Sequence, residues 1–190
     1  EPRRDRQPSV LRIVDAAGRE LPERQEGRLQ FKGPSATQGY HRNEEATRRM
    51  VEGVWRDSGD RAYVAGGDVY LTGRVKDIII RAGRNIYPYE VEEAVGNIAG
   101  VRKGCVAVFG SADATAGTER VIVVAETHEV LEAARGELQR IVQGVAADLL
   151  GMQPDQVLLA SPHTVLKTSS GKIRRAAVRE LFEAGKIGQQ

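Results

Sequence analysis

Apolar and polar positions alternate along residues 10–14 (Val-Leu-Arg-Ile-Val) and 28–32 (Arg-Leu-Gln-Phe-Lys), as in strands with one face buried and one in water. Turn residues separate them at Asp15-Ala16-Ala17-Gly18 and Gln25-Glu26-Gly27, and Gly33-Pro34-Ser35 ends the second strand. From Asn43 to Glu52 the pattern is charged and helix-permissive, with Asn43 as its N-cap. Trp55-Arg56-Asp57-Ser58-Gly59-Asp60-Arg61 reads as a strand end and turn. A hairpin follows, with arms Ala62-Tyr63-Val64 and Val69-Tyr70-Leu71-Thr72 bent at Gly66-Gly67-Asp68.

After Arg74 the texture changes. Ile78-Ile79-Ile80 predicts a short buried strand, and Asn85-Ile86-Tyr87-Pro88 turns into a helix with Pro88 near its first turn. Val91, Ala94 and Val95 give that helix an apolar face. Residues 104–109 and 120–125 are strong strands, and 156–159 a last one. Between them, residues 130–150 carry Leu131, Ala134, Leu138, Val142, Val145 and Leu149 at helical spacing. Residues 161–171 read as polar loop, and 173–184 as a final amphipathic helix through Ile173, Ala177, Val178, Leu181 and Phe182, stopped by Gly185. The expected fold class is α+β. Residues 1–75 are β-rich and too sparse in strands to close a core easily, whereas 76–190 form a unit with a three-stranded sheet packed by helices.

Composition narrows the classes. Of 190 residues, 41% are hydrophobic, enough for a core, yet no run approaches the roughly 18–20 apolar residues of a membrane span. The charged start Glu1-Pro2-Arg3-Arg4-Asp5-Arg6-Gln7-Pro8 has no apolar region behind it, so no signal peptide is expected there. The missing initiator Met suggests a piece of a longer polypeptide. One cysteine, Cys105, leaves no internal disulfide; it favours a reducing, cytoplasmic setting and reads as an inert core thiol. A net charge of +2, with acids and bases interspersed and no aromatic platform or basic stripe, argues against nucleic acid.

Candidate chemistry concentrates in a few places. Lys167-Thr168-Ser169-Ser170-Gly171-Lys172 is a flexible-looking polar loop ending in an ammonium beside a predicted helix start. It is no phosphate-binding P-loop, because Leu166 stands where that motif needs Gly and Ile173 where it needs Ser or Thr. A cation near a helix N-terminus is electrostatically disfavoured, so Lys172 calls for an anion. Asp60 can accept both hydroxyls of a ribose, and the fork of Arg74 can contact ribose or phosphate oxygens. Residue chemistry alone prefers plainer roles for that pair: Asp60 in a turn, and Arg74 in a surface ion pair with Asp68 or Asp77. Glu90, Glu92 and Glu93 read as a solvated helical edge, and Arg174-Arg175 as a solvated helix end or a contact for an acidic partner or a cofactor's phosphates. His41, His128 and His163 lack metal-ligand spacing, so no metal site is expected.

Four segments, in order, carry a resemblance. Gly33-Pro34-Ser35-Ala36-Thr37-Gln38-Gly39-Tyr40, with Glu45 and Thr47, resembles the Gly-Pro…Gly-Tyr segment of the adenylate-forming acyl ligases. Trp55-Arg56-Asp57-Ser58-Gly59-Asp60 is similar to their Thr-Gly-Asp segment, with Ser58 where Thr is usual. The stretch 73–92 resembles their hinge, and 166–175 their catalytic-lysine loop. The resemblance covers nearly the whole chain and is to the C-terminal third of that superfamily, which includes acyl-CoA synthetases, fatty-acyl-AMP ligases and peptide-synthetase adenylation domains.

The resemblance implies that 1–75 is the end of the large AMP-binding domain, a distorted β-barrel subdomain, and 76–190 a mobile lid. Asp60 and Arg74 would hold the ribose of ATP, and Lys76 would be the hinge. Gly83 would lie by the pantetheine tunnel, and Lys172 would bridge carboxylate and α-phosphate as the catalytic residue. ATP, Mg2+ and either CoA or carrier-protein phosphopantetheine are the implied cofactors. A fatty acid, an acyl carrier protein or CoA, and the missing N-terminal domain of the same polypeptide are the implied partners. Residues 84–88, 104–109 and 167–175 look closest to fatty-acyl-AMP ligases, with long-chain fatty acid–CoA ligases next. Alone, the chain is expected to be inactive. A non-catalytic carrier-protein-binding module, docking through Arg174 and Arg175, is the rival outside enzymology.

Overall fold

The computed structural model describes residues 9–113 and 117–187; the charged start 1–8 lies outside them. The chain divides into two compact units, Glu1–Lys76 and Asp77–Gln190.

The first unit is a five-stranded sheet carrying one helix. Its elements are β1 (Val10–Val14), β2 (Gly27–Lys32), α1 (Glu44–Met50), β3 (Val51–Glu52), β4 (Trp55–Ala65) and β5 (Asp68–Arg74). The order is β1-β2-β4-β3, with β5 also on β4 and every pairing antiparallel. Alternation puts Ile13, Leu29 and Ala62 into a small core with Leu21, Val64 and Val69. Arg12 and Lys32 meanwhile lie over the Trp55 ring, 4.2 and 4.5 Å from its centroid. The carboxamide of Gln30, fully buried, accepts from Arg12 Nε at 2.8 Å and donates to Glu52 at 2.6 Å, so a polar residue in the sheet has its bonding met.

Asn43 caps α1 through its side chain on the Ala46 N–H, but the helix stops at Met50 and Val51–Glu52 become a strand. The second departure is larger. Residues 55–61 are not a strand end and turn, because β4 runs unbroken through them to Ala65. The register slips there instead: Gln30 pairs with Asp57 while Arg28 pairs with Arg61, leaving extra residues in β4 as a bulge. Ser-Gly-Asp suits a bulge as well as a turn, since both need one residue at positive φ, here Gly59 at +75°.

The second unit holds β6 (Ile79–Arg81), β7 (Arg84–Ile86), α2 (Pro88–Gly96), β8 (Val101–Asp113), β9 (Thr118–Thr127), α3 (Glu132–Leu150), β10 (Gln156–Ala160) and α4 (Arg175–Glu183). Its main sheet is β10-β9-β8; β8 and β9 are antiparallel, and β10 is parallel to β9 after the crossover through α3. Both faces are covered, which is why β8 and β9 read as continuous apolar runs. Val106, Val108, Val121, Val123 and Ala125 face α2 and α3. Ala107, Phe109, Ile122 and Val124 face α4, where Phe182 meets Phe109 edge-on at 5.8 Å. The fold class is therefore α+β with a three-stranded sheet and helices.

Local detail differs from expectation in four places. Of Ile78, Ile79 and Ile80, only Ile79 is buried, and Ile80 points to solvent, as strand alternation requires. Residues 84–86 form β7, the second arm of a hairpin. The buried stripe of α3 is Leu138, Val142, Ala146 and Leu150, while Leu131 and Leu149 are exposed. Helix α4 starts at Arg175 rather than residue 173, because Ile173 pairs back on Lys167. Among the described residues no helix is long and apolar enough to cross a membrane.

Candidate functional site

Asp60 and Arg74 face each other across β4 and β5, and Arg74 Nε lies 3.2 Å from Asp60 Oδ1. The bulge aims Asp60. The Ser58 hydroxyl donates to the Leu29 carbonyl and accepts the Asp60 N–H, both at 3.0 Å, while Asp57 accepts the Gly59 N–H at 2.8 Å. Only a hydroxyl is needed for this, so Ser in place of Thr keeps the brace. Arg74 thus pairs with Asp60, and neither Asp68 nor Asp77 is its partner in the ion pairs found. The pair is an exposed cation on a half-buried carboxylate, able to offer both acceptor and donor to a polyhydroxylated ligand. Lys76 lies in the 3-10 turn Val75–Asp77 and ends the first unit.

In the second unit Lys172 sits on a tight hairpin, not on slack loop. Lys167 and Ile173 form a bridge, and Thr168 N–H donates to the Lys172 carbonyl at 2.8 Å. Gly171 N–H closes the turn on the Thr168 carbonyl at 2.9 Å. The Thr168 hydroxyl accepts the Lys172 N–H at 3.0 Å and meets Ser170 Oγ at 3.0 Å. Serine and threonine therefore do structural work here, replacing the ladder of a longer strand pair. The two ammonium groups have different fates. Lys167 Nζ lies 3.2 Å from the buried Sγ of Cys105, whereas Lys172 is exposed and its ammonium has, among the described residues, no ion-pair or hydrogen-bond partner. A solvent-facing cation on a braced turn can meet an incoming anion with little reorganisation.

Gly83 lies at the tip of the β6–β7 hairpin, after Ala82, in a two-residue turn with both residues at positive φ, +49° and +76°. A side chain at Gly83 would meet open space, so backbone conformation alone explains the glycine within this unit. The hairpin is pinned to β9. Arg81 donates to the Glu119 carbonyl at 2.8 Å and to Asp155 at 2.7 Å, and Ile80 N–H donates to Glu119 at 2.7 Å.

Two buried carboxylates escaped the sequence reading. Glu92 is not on a solvated edge: it is 6% exposed, and Arg175 is not on a solvated helix end. Arg175 donates to both oxygens of Glu92, at 2.7 and 2.6 Å, and to Asp77 at 2.7 Å, while Glu92 also accepts the Val108 N–H at 3.0 Å. Burial alone would push the Arg175 guanidinium down. Hydrogen bonding and charge from Glu92, then Asp77, outweigh that and hold it above its ordinary value. Only Arg174 of the arginine pair is exposed, so the docking face expected of both is halved. Glu126 is the other surprise, buried at 1% in β9, where it accepts the Val165 N–H at 2.6 Å and pairs with Arg102. The sequence signal for each was a carboxylate inside an apolar frame, one on a helix and one in a strand.

No protein-family model matches the chain. It is 40% identical over 169 residues to a protein of Mycobacterium tuberculosis described as a ligase, a match covering 87% of this chain and 30% of that one. It is 30% identical over 203 residues to a protein of the same species described as a long-chain-fatty-acid–AMP ligase, covering 96% of this chain and 34% of that one. Among solved structures, the McyG A-PCP protein complexed with phenylalanyl-adenylate superposes with a TM-score of 0.83 at 30% identity, over 93% of this chain and 28% of that one. The chain therefore spans about a third of the length of the relatives it matches.

Proposed function

Because this chain belongs to the adenylate-forming acyl ligase superfamily, as its C-terminal part, we propose that it is the lid-bearing end of an ATP-dependent fatty-acid-activating ligase of the fatty-acyl-AMP type. In this reading a fatty carboxylate attacks the α-phosphorus of ATP, giving acyl-adenylate and pyrophosphate, and the acyl group then passes to a phosphopantetheine thiol. Similarity to a protein described as a fatty-acid–AMP ligase supports the acid, and similarity to a carrier-linked adenylating protein supports the thiol acceptor.

Each residue has a role fitted to its placement. Asp60 accepts from ribose hydroxyls, and Arg74, already held against it, donates to ribose or phosphate oxygens. Lys76 is the hinge about which the unit after it, the lid, turns. Gly83 keeps the tip of its hairpin bare for the pantetheine arm. Lys172 is the catalytic cation, neutralising charge that develops on the phosphoryl oxygens. Mg2+ would accompany ATP as part of the substrate.

The exposed ammonium of Lys172 on its braced hairpin, without an ion-pair partner among the described residues, is the observation that carries the proposal. The test uses the full-length enzyme. Lys172→Ala is expected to slow acyl-adenylate formation about 100–1,000-fold, as loss of one preorganised electrostatic donor does. Acyl transfer from preformed acyl-adenylate should fall far less, because the lid has by then turned. Equal losses in both half-reactions would remove Lys172 from its role. Offering CoA and a carrier protein side by side decides the acceptor; preference for CoA would make this a long-chain fatty acid–CoA ligase. The 190-residue chain alone is expected to release no pyrophosphate from ATP and a fatty acid.

A further inference from the structure

Helix α4 violates local helix rules at its start. Arg174 is the N-cap and Arg175 the first helical residue, with no side-chain cap and no acid in the first turn. Cations at that end oppose the helix dipole and lack the acceptor that a capping residue supplies. Such a local conflict implies a tertiary reason. For Arg175 the reason is visible: its fork is bidentate on Glu92, and its remaining nitrogen is on Asp77.

The three groups join distant parts of the unit. Asp77 directly follows Lys76 and is where the chain enters the second unit. Glu92 lies in α2 and also ties down a β8 amide through Val108. Arg175 lies three residues past Lys172, and the Arg174 N–H donates to the Leu166 carbonyl at 2.9 Å, at the base of the lysine hairpin. We propose that Arg175 is a positioning residue for Lys172: with Glu92 and Asp77 it locks the base of the 167–173 hairpin to the entry of the unit, so that motion at the hinge is delivered to the ammonium without slack. This rests on the adenylation reading for its functional consequence, but not for the mechanical one.

Arg175 carries one positive charge against two negative ones, and Glu92 is buried. Removing the arginine would leave facing carboxylates and endanger folding. The test therefore uses Asp77→Asn, which leaves Glu92 and Arg175 as a neutral pair, beside Arg175→Lys, which keeps the charge and gives up the fork. In the 190-residue chain, hydrogen exchange at the amides of 168–174 is expected to quicken about tenfold in both variants, with β9 amides unchanged. Unchanged hairpin exchange would overturn the proposal whatever Lys172 does. In the full-length enzyme both variants are expected to lower kcat for acyl-adenylate formation about tenfold at unaltered KM for ATP, with transfer from preformed acyl-adenylate within about twofold of the parent. Matching losses in the two half-reactions would also overturn it and reduce the triad to plain stabilisation. Lys172→Ala, run alongside, separates the readings: if that variant adenylates normally, the role of Lys172 falls, while hairpin exchange still tests Arg175.

Discussion

Single residues here are set by backbone conformation and by partner charges. Ala82 holds φ at +49°, where a side chain with Cβ is strained and where Asn or Gly is usual before a glycine in this turn. Ala82→Asn is expected to stabilise the second unit by about 0.5–1 kcal/mol, read as a higher urea midpoint at unchanged slope. Asp15 illustrates the pH response. Its carboxylate accepts the N–H groups of Arg19 and Ala17 and the Arg19 guanidinium, which hold its pKa below the ordinary value, the Arg19 amide most of all. A depressed carboxylate supports its turn above its unfolded pKa and loses that support as pH falls through the folded one. An NMR titration should therefore show the Arg19 amide shifting in acid below the usual Asp range; a midpoint at or above that range would contradict the contact. Arg175 has the opposite sign. Its raised pKa means that its contribution is complete below the ordinary arginine value, so no physiological pH discharges the guanidinium.

Among the elements, the hydrophobic stripe of α3 gives the sharpest contrast. Spacing of three and four fits more than one stripe on a helix carrying leucine at 138, 149 and 150, and contact with the sheet selects among them. Leu138 is 6% exposed and Leu149 is 51% exposed. Leu138→Ala is expected to cost about 2–5 kcal/mol, and Leu149→Ala at most about 0.5 kcal/mol, in equilibrium unfolding. Comparable costs would mean that the helix is rotated from the orientation described. The helices were more legible than the short strands: all four lie near their expected places, whereas β3 and β7, two and three residues long, are too short to show a period. The β4 bulge was not legible, since Ser-Gly-Asp has the same chemistry in a turn and in a mid-strand irregularity.

For the whole molecule, burial is unequal between the units. The first has a core built on Ile13, Leu29 and Ala62, whereas the second buries two apolar layers on either side of one sheet. Stability follows apolar area removed from water, at about 25 cal/mol per Å2. Amides of β1 and β2 are accordingly expected to exchange faster than those of β8 and β9 in native-state hydrogen exchange. Slower exchange in the first unit would show that its small core is not what limits it. That core is consistent with a chain matching about a third of its relatives' length, for a sheet of this kind leaves apolar surface for further sequence to cover.

By itself the sequence determined the four helices, most of the longer strands, their order, the α+β class and the family resemblance, since all of these rest on patterns within a few residues or on motifs in series. Tertiary structure decided which charges are buried. Glu92 and Arg175 are 83 positions apart, and Glu126 and Val165 are 39 apart, so no local rule could pair them. A carboxylate on an apolar face is costly in isolation and acceptable once a distant guanidinium or amide meets it, and only the folded chain brings that partner within reach.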